Sequence, residues 1–212
     1  MELDTWNLDD LGGASVFSVN GGGGLVKPLI FAADRPVGEG ATDFSAFIES
    51  LSNFLNPVPS DFTRGHDPVL VGYFDDASTV DHQARVVREA ILKVIEKRKG
   101  DSRLTVGGIG QGAQAVRLAL VWLEDAKVDH QTQTYFSYNG TPPATSLDEE
   151  ILERAGWPKL PRKLKLVTED FTSELKDDDF DETIVGTPNP EWNQGGMLFN
   201  RQLVSAFMDK LK

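Results

Sequence analysis

Apolar residues along this chain follow two patterns in turn, short continuous runs and longer segments with a helical spacing. Short apolar or β-branched runs are typical of buried strands. Such runs occupy residues 15–19, 69–73, 104–107, 134–138 and 164–168. Between them, apolar positions recur every three or four residues, as on one face of a helix. This pattern predicts helices over 43–55, from Val80 to near Gly100, from 111 to about Trp122, around Leu147–Ala155 and from Gln194 to Lys212. Strands that alternate with helices predict a mostly parallel sheet covered on both faces, which is a three-layer α/β/α sandwich.

The chain has the length of one domain preceded by a short arm. Its 212 residues fit a single α/β domain, because such domains commonly run to about 200–250 residues. Residues 1–14 precede the first predicted strand and are expected to form an N-terminal arm, with 15–212 as one domain. Trp6 in this arm and Trp192 in a polar stretch are candidate partner contacts, since aromatic residues often anchor interfaces. The alternative for Trp6 is an arm that folds back on its own domain.

Composition excludes several classes of function. The formal net charge is −12, which argues against nucleic acid as a partner because phosphate binding uses clustered cations. The absence of cysteine excludes disulfides, thiolate metal sites and a cysteine nucleophile. No stretch approaches the roughly 20 apolar residues of a membrane span, and the acidic start lacks the apolar run of a secretory signal. We therefore expect a soluble chain without a leader or membrane insertion.

Two further segments could suggest a bound ligand. Gly21–Gly24 lacks the spacing of a nucleotide-binding loop, and the acidic stretch Glu174–Glu182 lacks the alternating oxygens and central glycine of a calcium loop. A loop and a solvated acidic face are the simpler interpretations. We expect neither a cofactor nor a metal.

The segment VGGIGQGAQA at 106–115 has the outline of the sharp strand-to-helix turn on which serine hydrolases carry their nucleophile. In the GxSxG pattern of this turn, flanking glycines let strand and helix pass closely, and the central residue is exposed above the sheet. Gly108, Ile109, Gln111 and Gly112 fit this elbow, and Gly110 stands at the nucleophile's position. Glycine has no atom that can attack a carbonyl. The alternative is that this segment is only a glycine-rich strand-to-helix turn, unrelated to hydrolases.

The histidine of a catalytic triad is missing as well. In hydrolases with this turn the order along the chain is nucleophile, acid and then a late histidine. The histidines here are His66, His82 and His130, and all three are expected to be solvated surface residues because their neighbours are polar. No histidine follows residue 130.

The segment GIGQGA resembles the GYSQGA turn of the cutinases and of lysin B, the mycolyl-arabinogalactan esterase of mycobacteriophages. Four other segments, VFSVNGGGG, TYFSYNGTP, KLVTEDFTSELKDDD and MLFNRQLVSAFMDKL, are similar to stretches of that family and come in the same order. The resemblance implies a cutinase-like α/β-hydrolase fold. It places Asp170 at the position of the catalytic acid and Met197 where the family has its histidine.

The departures at Gly110 and Met197 lead to the hypothesis of a pseudoenzyme, a cutinase-like domain that is not an enzyme. By analogy, the resemblance implies a virion location, as a minor tail or capsid-surface protein of a phage infecting actinobacteria. Its expected partners are other virion proteins, a second copy of the chain, or glycolipid or glycan of the host envelope. Two alternatives stay open. One is an active hydrolase that uses another set of residues, with Asp170, Gln111 and Ser137 as candidates; the other is a free glycan-binding or lipid-binding module.

Overall fold

The structure is a computed structural model that describes residues 2–18, 24–34, 40–51, 65–75, 77, 79–186 and 201–211. Within these ranges the strands are β1 Glu2–Leu8, β2 Gly12–Ser18, β3 Pro28–Ala32, β4 Asp67–Tyr73, β5 Leu104–Ile109, β6 Thr132–Tyr138, β7 Arg162–Thr168 and β8 Glu182–Gly186. The α-helices are α1 Phe44–Ser50, α2 Val80–Lys97, α3 Gln111–Asp125, α4 Ser146–Ala155 and α5 Arg201–Lys210.

All these strands belong to one sheet, in the order β1-β2-β4-β3-β5-β6-β7-β8. β2 pairs antiparallel with β1 and β4, while β4, β3, β5, β6, β7 and β8 run parallel to one another. The mostly parallel sheet confirms the predicted fold class. β5 lies near its centre, so the turn that follows β5 stands at the middle of the carboxyl edge, where open α/β sheets bind their ligands.

Two successive residues of β6 show that helices cover both faces. The hydroxyl of Tyr135 donates a hydrogen bond to the carbonyl oxygen of Ala113 in α3, at 3.0 Å. The ring of Phe136 lies 4.9 Å, centroid to centroid, from that of Phe207 in α5. Successive residues of a strand point to opposite faces of the sheet, so α3 and α5 lie on opposite sides. Both rings are fully buried, and burial raises the pKa of Tyr135 because its phenolate would be desolvated.

The first helix begins at Phe44, one residue after the start of the predicted range 43–55, and residue 43 is its N-cap. The carboxylate of Asp43 accepts hydrogen bonds from the amides of Ser45 at 2.9 Å and Ala46 at 3.1 Å, which makes it the N-cap of α1. The helix ends at Ser50, before the predicted end at residue 55. Residues 52–55 of the predicted helix lie outside the described residues.

The N-terminal segment is part of the sheet, which corrects the expectation of an arm over 1–14. β1 pairs with β2 along its whole length, and residues 15–18 of the first predicted strand form the second half of β2, while residue 19 lies outside the described residues. The indole of Trp6 is only 7% exposed and belongs to the core, and its Nε1 donates to the carboxylate of Asp4 at 2.8 Å. Trp6 is therefore folded back on its own domain instead of presenting its ring to a partner.

Two other strands were not predicted from the sequence. β3 is fully buried but only five residues long, and it begins with Pro28, which reads as a loop signal. β8 begins at Glu182, the last residue of the acidic stretch Glu174–Glu182, while Glu174, Asp177 and Asp178 earlier in that stretch are exposed as expected. Its Glu182 accepts hydrogen bonds from Lys210, at 2.5 Å, and from Arg162, and the hydrogen bond from Lys210 holds the pKa of Glu182 below its usual value. β8 is held in the sheet by its pairing with β7, and the two cations pair with its one acidic residue.

His130 is also a correction, because the structure buries it completely. Its Nδ1 accepts a hydrogen bond from the amide of Thr132 at 3.1 Å, and its Nε2 lies 3.4 Å from a carboxylate oxygen of Glu124. The imidazole precedes β6, at the edge of the sheet opposite the elbow, so it has a structural role there.

No helix within the described ranges is both long and apolar enough to cross a membrane. In the same part of the chain, no three His, Asp or Glu side chains come together in a way that could hold a metal ion.

Candidate functional site

The turn between β5 and α3 holds Gly110 above the carboxyl edge of the sheet. β5 ends at Ile109 and α3 begins at Gln111, so one residue makes the whole reversal. Gly110 has φ 52° and ψ −120°, a conformation that residues with a side chain rarely adopt. Its amide donates to the carbonyl oxygen of Tyr138 at 3.1 Å, which ties the turn to the end of β6. This is the geometry of a nucleophile elbow.

The flanking glycines allow the close approach that this turn needs. A Cβ on Gly108 would come within 3.0 Å of the backbone of Gly112, and a Cβ on Gly112 would come equally close to the carbonyl oxygens of Ala32 and Ala33. Real Cβ atoms essentially never make such contacts. The first turn of α3 is therefore packed directly on the ends of β5 and β3.

A carboxylate fills the space above Gly110, and sequence reasoning did not find it. Asp34 lies two residues after β3, and a Cβ on Gly110 would come within 3.0 Å of both of its carboxylate oxygens. Its Oδ1 accepts a hydrogen bond from the amide of Gln111 at 2.8 Å. In hydrolases with this turn, the amide after the nucleophile is one donor of the oxyanion hole. The side chain of Asp34 thus stands where a nucleophile's side chain would be, and contacts the donor that would bind the oxyanion.

The side chain of Gln111 fastens the neighbouring loop. Its Nε2 donates to Oγ1 of Thr141 at 2.7 Å and to the carbonyl oxygen of Pro142. Nε2 of Gln114 donates to the carbonyl oxygen of Thr141 at 2.9 Å. Gln111 therefore offers its amide to the site, while its side chain positions the loop after β6.

Asp170 lies on the same edge, two residues after the end of β7. It is exposed to solvent, and its charge adds to the effect of burial in raising the pKa of Tyr138. β6 separates β7 from β5, so Asp170 is about two strand spacings, roughly 10 Å, from the elbow. The structure places it near the site but beside a different strand end.

Ser137 is closed off from any substrate. Ser137 is fully buried, and its hydroxyl has no hydrogen-bond partner among the described residues. A Cβ on Gly140 would collide with this hydroxyl, which shows how closely the loop covers it. The predicted positions Met197 and Trp192 lie outside the described residues.

A cleft of about 400 Å³ opens beside the elbow. It is lined by Ala33 and Asp34, by residues 40–43, by Ala46, Phe47 and Ser50 of α1, and by Ile109. Two other cavities, of about 390 Å³ beside Trp6 and 450 Å³ beside Trp157, lie at the opposite edge of the sheet. Because ligands of α/β sheets bind beyond the carboxyl ends of the strands, the cleft at the elbow is the candidate site.

No protein-family model matches the chain, and no curated protein matches its sequence. Solved structures with a similar fold include an esterase from Pyrobaculum calidifontis, with a TM-score of 0.67 and 11% identity over 99% of this chain and 83% of that one. Carboxyl esterase 2 from the fungus Tuber melanosporum has a TM-score of 0.67 and 12% identity over 100% and 86%. Esterase Est22, solved with p-nitrophenol, has a TM-score of 0.71 and 8% identity over 100% and 80%.

These likenesses bear on two expectations from the sequence, the absence of enzymatic activity and the relationship to cutinases and lysin B. The expectation that the chain is not an enzyme is contradicted, because the solved structures named here that share its fold are esterases. The narrower cutinase and lysin B relationship receives no support from them. At such low identity the likeness establishes the fold, and the chain has the α/β-hydrolase fold shared with these esterases.

Proposed function

We propose that this chain hydrolyses carboxylic esters at the elbow between β5 and α3. The observation that carries the proposal is the cleft of about 400 Å³, which is lined by Ile109, the residue before the turn, and by Asp34, whose carboxylate contacts the turn. The fold and its esterase neighbours support the same reaction class. In enzymes with this turn, substrates are bound above the elbow and the reacting carbonyl lies beside the helix that follows it.

The chain provides a donor for the charge that ester hydrolysis creates. As a carbonyl carbon is attacked, its oxygen becomes negative, and the amide of Gln111 at the start of α3 is placed to stabilise it. Loss of one such donor slows hydrolases by about 100- to 1,000-fold. Since Gly110 has no side chain, the attacking group does not come from the elbow residue itself.

The cleft also limits the substrate. Its volume is near the lower end of the roughly 300–1,000 Å³ that small-molecule sites occupy. Within the described ranges the ionisable side chains that line it are Asp34 and Asp43, which are both acidic. We expect small esters without a negative charge to be the best substrates.

A chromogenic ester series tests the proposal. Purified protein should release p-nitrophenol from the acetate and butyrate esters above the uncatalysed rate, and more slowly from the octanoate. Ala46→Trp fills the cleft from the exposed face of α1 and should lower kcat/KM at least about 10-fold, since it removes substrate binding. Ser45→Trp is the matched control, because Ser45 is exposed on the same helix and does not line the cleft. Absence of turnover, or equal rates in the two variants, would refute the proposal.

The finer sequence-based inferences stay predictions. They are the cutinase and lysin B relationship, the virion location, and partners among virion proteins, a second copy or host glycolipid and glycan. The family relationship rests on the resemblance of five sequence segments and on their order, and the virion location and partners rest on analogy with that family. Mass spectrometry of purified phage particles, and binding of the isolated protein to envelope glycolipids, would test them.

A further inference from the structure

We propose that the carboxylate of Asp34 is the general base of this site, so that water and not a side chain attacks the ester. This inference rests on the proposed hydrolase function. It starts from the position of Asp34, whose carboxylate oxygens occupy the place that a side chain on Gly110 would take. The elbow residue has no hydroxyl, and the carboxylate of Asp34, two residues after β3, lies at the same point in space.

Three properties make Asp34 suitable for this role. Its side chain is exposed, so water reaches it, and it lines the cleft that would hold the substrate. Its Oδ1 lies 2.8 Å from the amide nitrogen of Gln111, so base and oxyanion donor are within one hydrogen bond of each other. A general base must lie within hydrogen-bond reach of the proton it removes, and this arrangement places a water on Asp34 beside a carbonyl held by Gln111.

The other polar groups near the elbow are less well placed. The carboxylate of Asp43 also lines the cleft, but it accepts two amides of α1 as its N-cap. Asp170 stands about two strands away, roughly 10 Å, which is beyond direct contact with the same carbonyl. Ser137 is buried beneath its loop.

The step balances without a further reactant. As the ester carbonyl enters, its oxygen replaces Asp34 as the acceptor of the Gln111 amide. The Asp34 carboxylate takes one proton from water while the water oxygen bonds to the carbonyl carbon, and the carbonyl electron pair moves onto oxygen. When the tetrahedral species collapses, the bond to the alcohol oxygen breaks, and Asp34 returns the proton to that oxygen. The products are the carboxylic acid and the alcohol, and the base is regenerated.

Removal of the base with little change in shape is the first test. Asp34→Asn keeps an acceptor for the Gln111 amide and should lower kcat/KM for p-nitrophenyl acetate about 100-fold or more, the usual contribution of a general base. Asp101→Asn is the matched control. Asp101 is an exposed residue that precedes β5 at the opposite edge of the sheet, so its rate should equal that of the wild type. Melting temperatures of both variants establish that they are folded.

A second variant separates catalysis from a structural role. Asp34→Ala should regain activity when formate is added, because the small carboxylate can enter the vacated space, whereas chloride at the same ionic strength should not restore it. Mass spectrometry of the wild-type protein quenched during turnover should show no acyl adduct. An adduct on Asp34 would overturn the assignment as a base, and so would an Asp34→Asn variant that keeps a third or more of the wild-type rate. If the wild type cleaves no ester at all, the proposed function fails. If the wild type cleaves esters and the Asp34 variants cleave them at the same rate, this inference alone fails.

Discussion

Replacement of Gly110 by alanine, with and without Asp34, tests the geometry of the elbow through stability. A methyl group at position 110 would meet the carboxylate of Asp34, and the backbone there has φ 52° and ψ −120°. The two effects are physically separate, because the first depends on the side chain of Asp34 and the second does not. A double-mutant cycle of Gly110→Ala and Asp34→Ala therefore distinguishes them.

The expected magnitudes follow from the contacts. The strained backbone should cost an alanine about 1–3 kcal/mol. Displacing Asp34 breaks its hydrogen bond with the Gln111 amide, which for an exposed, solvent-screened carboxylate is worth about 1 kcal/mol. Gly110→Ala should thus lower the free energy of unfolding by about 2–4 kcal/mol, and Asp34→Ala by about 1 kcal/mol. In the double variant the hydrogen bond is lost only once, so the sum of the single effects should exceed the double effect by about 1 kcal/mol.

Equilibrium unfolding in urea measures all four proteins, with the midpoint and slope recorded for each. For a chain of this size, 1 kcal/mol corresponds to a shift of the melting temperature of about 2–4 °C, so the difference is measurable. If the two single effects add within about 0.3–0.5 kcal/mol, the carboxylate does not occupy the space above Gly110. That result would remove the basis of the assignment of Asp34. A Gly110→Ala variant as stable as the wild type would instead refute the elbow conformation.

Two further predictions concern the frame around the site. Trp6→Ala should lower the free energy of unfolding by about 3 kcal/mol because its indole is buried. Leu3→Ala, on the same strand and 57% exposed, should change it by less than about 0.5 kcal/mol. Equal effects of the two substitutions in urea unfolding would contradict the burial of Trp6. The hydrogen bond from Lys165, at 2.9 Å, lowers the pKa of Asp177, so its contribution to stability is present above the unfolded pKa of about 3.9 and is lost as the pH falls through the lower folded value. Asp177→Asn should therefore lose less thermal stability between pH 6 and pH 3 than the wild type. Asp178→Asn, in the same short 3₁₀ turn over Asp177–Asp179, should behave like the wild type; identical pH profiles of the Asp177 variant and the wild type would show that the pair is not formed.

Much of the fold could be predicted from the sequence, because it depends on local periodicity. Five strands follow from short apolar or β-branched runs, and five helices follow from apolar positions that recur every three or four residues. The three strands that the pattern did not predict are stabilised mainly by pairing with neighbouring strands of the sheet. β1 becomes a strand through its pairing with β2, and β3 is a short buried strand held between β4 and β5. β8 pairs with β7, and two cations contact its one acidic residue, Glu182. Such stabilisation comes from contacts distant in sequence, which a local pattern does not contain.

The candidate site also has one part that follows from the sequence and another part that follows only from the tertiary structure. The sequence by itself determined the elbow, because GIGQG needs small residues on both sides of a single-residue reversal, and it determined that residue 110 has no nucleophile. Only the tertiary structure decided what replaces the missing side chain. Asp34 is separated from Gln111 by 77 positions in sequence, yet their hydrogen bond forms because β3 and β5 are parallel neighbours whose carboxyl ends meet. Chemistry at such an edge depends on which strands lie side by side, and that order is set by long-range pairing and not by any local run of residues.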